Sequence, residues 1–124
     1  MPLYTAITEQ GYVSDATKAR IAEEITRVHA EVMKVPKNFV RVVFLSYPKH
    51  SGYTAGEEAP AAALTCVLRS GHTVEEKADL LKQLWSLIQE LTGVATDQLA
   101  ISLQEIPSSN AMEMGRIMQA VSHE

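Results

Sequence analysis

The chain repeats itself at an offset of 59 residues, and no other feature narrows its possible folds so far. The segment SDATKARIAEEITRVHAEVMKVPKNFVRVVFLSYP, from Ser14 to Pro48, aligns without a gap on TVEEKADLLKQLWSLIQELTGVATDQLAISLQEIP, from Thr73 to Pro107. Ile21 falls on Leu80, Ile25 on Leu84, Val28 on Leu87 and Val32 on Leu91. Further on, Val42 falls on Ile101, Phe44 on Leu103 and Pro48 on Pro107. A duplicated unit must build the same supersecondary element twice, which bounds the architecture more tightly than any short motif.

Each unit reads strand, helix, strand. The opening strands are expected at Leu3–Thr8 and Ala62–Leu68. Helix one starts near Ser14, a good N-cap, and stops before Pro36, which forbids its continuation. Helix two opens on Thr73 and Glu76 at capping-box spacing and ends around Gly93. Ile21, Ile25, Val28 and Val32 give the first helix its apolar stripe, and Leu80, Leu84, Leu87 and Leu91 the second. The closing strands, Phe39–Tyr47 and Leu99–Leu103, are apolar at nearly every position, as strands covered on both faces are. Between Pro48 and Pro60 the polar KHSGYTAGEEA reads as a surface loop. The expected fold is α/β, a tandem β-α-β repeat (β-α-β-β-α-β) whose four-stranded sheet carries two helices on one face. Its other face stays apolar, and covering it calls for oligomerisation.

With 124 residues the chain is read as a single domain, 1–124, with units at about 2–48 and 61–107 and a tail at 108–124. A net charge of -4 and the lack of any long Lys/Arg cluster predict no nucleic-acid partner. No apolar run approaches the roughly 20 residues of a membrane span, and the first residues lack the pattern of a signal peptide. Cys66 stands alone among apolar neighbours, so no intramolecular disulfide forms and a buried thiol is expected. These features predict a cytoplasmic protein acting on something small.

Pro2 follows the initiator methionine and opens a strand. Removal of Met1 would turn it into a secondary amine, at once nucleophile and base. In a dry pocket near cations such an amine titrates toward neutrality, because desolvation and like charge both disfavour its protonated form. A base poised near the working pH suits proton transfer. A proline at this position is also simply a permissive terminus, and with Met1 retained its nitrogen is a tertiary amide.

Pro2 at a strand start, followed by two β-α-β units, resembles the tautomerase superfamily (4-oxalocrotonate tautomerase-like), and within it the cis-3-chloroacrylic acid dehalogenase group. That group pairs its proline with a helix histidine, two arginines, a tyrosine and a glutamate. By resemblance these fall here on Pro2, on His29 in RVHAEV, on Arg69 in VLRSGH and on Glu113 in AMEMGR. His72 takes the place of the second arginine and Ser102 that of the tyrosine. The resemblance implies a homotrimer with catalytic Pro2, His29 and Glu113, substrate-binding Arg69, His72 and Ser102, a small carboxylate substrate, and neither cofactor nor metal. A guanidinium at a strand end suits a carboxylate, and a carboxyl among apolar side chains can act as acid or base.

A neutral His72 weakens a carboxylate clamp, and Ser102 lacks the reach of a phenol. The expected activity is therefore that of a cofactor-independent tautomerase using Pro2 on an enol or 2-oxo carboxylate. Two alternatives stay open. One is a hydratase or dehalogenase of 3-substituted acrylates, with Pro2 as general acid and Glu113 activating water. The other is a non-enzymatic, ferredoxin-like ligand-binding or assembly module. His50 and His123 have no partners at metal-ligand spacing and receive no role. Met112, Met114 and Met118 are read as packing residues.

Overall fold

A computed structural model describes residues 1–119. The main elements run β1 (Leu3–Glu9), α1 (Asp15–Met33), β2 (Arg41–Tyr47), β5 (Ala62–Arg69), α2 (Val74–Thr92) and β6 (Leu99–Ile106). Two short hairpins, β3–β4 (Tyr53–Thr54, Glu57–Glu58) and β7–β8 (Met112–Glu113, Arg116–Ile117), follow the second and fourth long strands. The helix boundaries are those the capping residues dictate. Ser14 accepts from the Thr17 amide, and Thr73 and Glu76 close both halves of a capping box. Lys34 and Gly93 end the helices in left-handed conformation. One boundary differs from expectation. Phe39 lies in a 3-10 turn (Lys37–Phe39) rather than in β2, because the chain must swing from the end of α1 into the sheet.

The four long strands form one sheet in the order β2-β1-β5-β6. β1 pairs parallel with β2 and antiparallel with β5, and β5 pairs parallel with β6. Each β-α-β unit thus contributes a parallel pair, and the two units meet antiparallel at the centre. Both helices lie on one face, where Tyr4, Ile25, Cys66, Leu80 and Leu84 are wholly buried. Each such apolar side chain contributes about 1.5–3 kcal/mol through removal from water.

Register refines the repeat. Val42 pairs with Tyr4, and its counterpart Ile101 pairs with Leu64. Tyr4 and Leu64 are therefore equivalent at a step of 60, while helices and closing strands keep the step of 59. The connection from β5 to α2 is one residue shorter than its counterpart. Without that adjustment every side chain of one opening strand would point to the wrong face. The repeat also extends past Pro48 and Pro107. Ala55–Gly56 (φ 53° and 81°) and Met114–Gly115 (φ 54° and 76°) turn the two hairpins at equivalent places. The stretch after Pro48, expected to be loop throughout, holds a hairpin too short for an alternation signal.

The sheet face away from the helices is open. On it Leu3, Ile7, Val43 and Leu45 are 38 to 51% exposed. No helix among the described residues is long and apolar enough to cross a membrane.

Candidate active site

The sheet brings the start of β1 to a charged corner. β1 is a central strand, so its first residues have neighbours on both sides. The parallel register sets Leu3 beside Arg41 at the start of β2, and the Arg41 amide donates to the Pro2 carbonyl at 3.1 Å. The antiparallel register sets Leu3 beside Val67, so Arg69, two residues on, comes level with Met1. Glu113 reaches the same corner from the β7–β8 hairpin, where its carboxylate pairs with the Met1 ammonium.

Burial pulls the terminal amine from its usual 8.0 down to about 6, with Arg41 and Arg69 acting in the same direction. The Glu113 carboxylate against it acts in the opposite sense, by favouring the ammonium. Pro2 itself is buried, and with Met1 attached its nitrogen is an amide.

Behind the proline, on the helix side of the sheet, lies a buried polar pair. His29 is 1% exposed, and its Nδ1 lies 2.6 Å from the Tyr4 hydroxyl, the rings meeting edge to face at 5.5 Å. Helical geometry sets His29 at the edge of the apolar stripe. The structure buries it fully, because Tyr4 supplies the partner an interior imidazole needs. Desolvation lowers the His29 pKa to about 4, and the nearby His72 and chain terminus add to the effect. Desolvation likewise raises the Tyr4 hydroxyl, which also hydrogen-bonds Cys66. It pushes the Cys66 thiol up to about 12. At neutral pH all three are uncharged, and Cys66 is the buried thiol its neighbours imply.

A cleft of about 560 Å³ opens from this corner. Its lining combines Arg69, Glu113 and Arg116 with Phe39, Met114, Ile117, Met118 and Gln119. One Arg69 nitrogen donates to the Gln119 carbonyl. Met112 and Met114 are more than 60% exposed and do not serve as packing residues, because the hairpin that carries them stands clear of the core.

Pro2, His29, Arg69, His72 and Glu113 are thus gathered around the chain terminus. Ser102 is not. It sits on β6 opposite Thr65, exposed on the open face of the sheet. His50 pairs with Glu58 at 2.8 Å on the surface. His123 lies outside the described residues. Two residues of the corner escaped the sequence reading. Tyr4 alternates with strand neighbours as any core residue would, and Arg41 looks like a solvated strand end. Pairing the two strands at Leu3 and Arg41 is what reveals the latter.

A tandem β-α-β domain whose terminal amine lies between guanidiniums has the form of a tautomerase-like enzyme. The family model described as "Putative oxalocrotonate tautomerase enzyme" matches residues 1–112, and the chain belongs to that family. No curated protein matches it in sequence. Among solved structures it is similar to native Ps01740, with 28% identity, a TM-score of 0.87, and 90% of this chain and 99% of that one covered. It is also similar to N1, a member of the cis-3-chloroacrylic acid dehalogenase family. There the identity is 26% and the TM-score 0.91, over 96% of this chain and 85% of that one. A symmetric trimer of fused 4-OT shares the fold, with 23% identity, a TM-score of 0.85 and 94% of each chain covered.

Proposed function

We propose that the mature chain begins at Pro2 and moves a proton between carbon and oxygen of a small enol or 2-oxo carboxylate. The observation that carries this reading is the chain terminus, an amine held near pKa 6 beside Arg41 and Arg69. Removal of Met1 passes the free amine to the buried Pro2, one residue deeper, where desolvation likewise disfavours the protonated form. In ketonisation the enol hydroxyl loses its proton as the carbonyl forms, and the adjacent carbon gains one. The Pro2 nitrogen is the carrier, and nothing else is consumed. Arg69 holds the carboxylate, with Arg41 and His72 beside it, and a neutral His29 orients the reacting end by hydrogen bonding. The family relation to enzymes sets aside the reading as a non-enzymatic module.

The open face supports a homotrimer, the state of the fused 4-OT assembly that shares this fold. Ser102 would then serve the contact between copies. A lone buried thiol fits a reducing, cytoplasmic setting.

One observation favours a second chemistry. Glu113 stands directly against the chain terminus, where a carboxylate could activate water for hydration or dehalogenation of a 3-substituted acrylate.

The test is intact mass of the purified protein with ketonisation of an enol by it and by Pro2→Ala. We expect loss of Met1 and a fall of at least about 10²-fold in the variant, the usual worth of a positioned acid–base group. Equal rates would remove Pro2 from the mechanism. Halide release from 3-chloroacrylate that Glu113→Gln abolishes would establish the second chemistry.

A further inference from the structure

Behind Pro2 a chain of polar side chains is sealed in the core. Tyr4 and Cys66 are wholly buried, and His29 is 1% exposed. Tyr4, two residues on from Pro2, faces the helices from β1, and Cys66 lies directly opposite it on β5. The Tyr4 hydroxyl meets His29 Nδ1 at 2.6 Å and also hydrogen-bonds the Cys66 thiol.

Packing does not call for this trio, as the duplicated unit shows. At the other end of the sheet Leu64, Ala6 and Ile88 hold the places equivalent to Tyr4, Cys66 and His29, and all three are buried and apolar. Ala6 and Leu64 pair across the same two strands as Tyr4 and Cys66. The same slot therefore closes with hydrocarbon alone, without the desolvation that a buried hydroxyl and imidazole cost.

The direction of the hydrogen bonds follows from the partners. The phenol has one hydrogen and two partners, and an imidazole nitrogen is a far better acceptor than a thiol sulfur. A separation of 2.6 Å lies within the range of O–H donors and below that of N–H···O bonds. The Tyr4 hydroxyl therefore donates to Nδ1, and the Cys66 thiol donates in turn to the Tyr4 oxygen. The reverse direction would place the phenol hydrogen on sulfur and leave the thiol hydrogen outside the chain. A neutral imidazole whose Nδ1 accepts carries its proton on Nε2.

We infer that Tyr4 is a positioning residue: by donating to Nδ1 it holds His29 as the Nε2–H tautomer, so that His29 gives a hydrogen bond at the corner and cannot take a proton there through Nε2. The inference rests on the reading of the corner as a proton-transfer site and deepens it. Pro2 is left as the base, and His29 becomes a donor to a carboxylate or carbonyl oxygen. The chain terminus bears on the His29 pKa, so the imidazole is within electrostatic reach of that amine.

Nitrogen-15 NMR of the histidine-labelled full chain reads the tautomer without any substrate. At neutral pH His29 is expected as the Nε2–H form. Tyr4→Phe keeps the ring and is expected to release His29 to a mixture of both tautomers. In ketonisation of an enol Tyr4→Phe should lower kcat by about five- to tenfold, the rate equivalent of one hydrogen bond. In a His29→Ala background the same substitution should cost less than about twofold, because the group through which Tyr4 acts is gone. Finding His29 as Nδ1–H in the parent would overturn the inference, and so would a Tyr4→Phe protein whose tautomer is unchanged. An equal loss of rate in both backgrounds would overturn it too, since that is the mark of a packing defect. The parent spectrum decides even where Tyr4→Phe does not fold. If the parent and Pro2→Ala ketonise the enol equally, the proline mechanism fails, while the tautomer and its dependence on Tyr4 still stand or fall by the spectra.

Discussion

Acid should destabilise this protein through His29, and the size of the effect follows from its burial. The imidazole titrates at about 4 in the fold against 6.5 when free. Between those values the unfolded chain binds the proton more readily than the folded one, so stability rises with pH across the window. Read downward, stability is lost as pH falls from 6.5 toward 4. At about 1.4 kcal/mol per pH unit the full loss is about 3 kcal/mol, of which about 2 kcal/mol has accrued by pH 5. With a urea dependence of about 2 kcal/mol per molar, the unfolding midpoint should fall by about 1 M between pH 7 and pH 5. His29→Asn isolates the cause. Its side-chain oxygen can still accept from the Tyr4 hydroxyl, and it has no proton to gain. The smaller side chain lowers stability at every pH, but the slope should flatten by about 2 kcal/mol over this range. Urea unfolding followed by circular dichroism, at one fixed protein concentration because assembly contributes, measures both curves. Parallel curves for parent and variant would show that His29 does not set the slope, and would remove the argument for a neutral imidazole beside Pro2.

Two further predictions concern the corner and the open face. Arg41 helps to depress the terminal amine, so Arg41→Gln should move the acid limb of kcat/KM to higher pH, and a pH–rate profile that does not move would deny Arg41 that influence. Leu45, 51% exposed at the centre of β2, should lie in the contact between copies; Leu45→Lys should then yield a smaller species by light scattering, whereas a parent that is already monomeric at micromolar concentration would reject the trimer.

The fold was legible because two independent signals agreed. Helical stripes at Ile21–Val32 and Leu80–Leu91 fixed the period, and Ser14, Thr73 and Gly93 fixed the ends. Repetition then constrained both halves to one topology. The site was legible only in part, and the reason is geometric. Pro2 and Arg69 stand out in a sequence by position and type. Tyr4 does not, since a tyrosine in an apolar strand predicts burial without saying what its hydroxyl meets. Arg41 acts through a strand register that no local pattern encodes. Ser102 shows the opposite limit: matching a family position gives no face, and the register places it on the open side.

The repeat offers a sharper signal, in the places where the halves disagree. A second cavity of about 550 Å³ lies where pseudosymmetry requires, lined by Ala61, Ala62, Thr54, Gln98 and Ala100. It is as roomy as the cleft at Arg69 and Glu113, so volume does not distinguish them. Chemistry does. Ala100 stands where the first unit has Arg41, Ile88 where it has His29, and Leu64 where it has Tyr4. Thr54 takes the place of Glu113, and its hydroxyl is spent on Gln98 at 2.8 Å. At Ala61 the backbone is an ordinary amide, so no amine is present to be tuned. Burial alone would allow either end of the sheet to hold a ligand, but only one end has a chain terminus. The polar residues around that terminus have no polar counterparts of the same kind at the other corner, which is the pattern expected if a duplicated scaffold was kept for packing and one of its two corners for proton transfer.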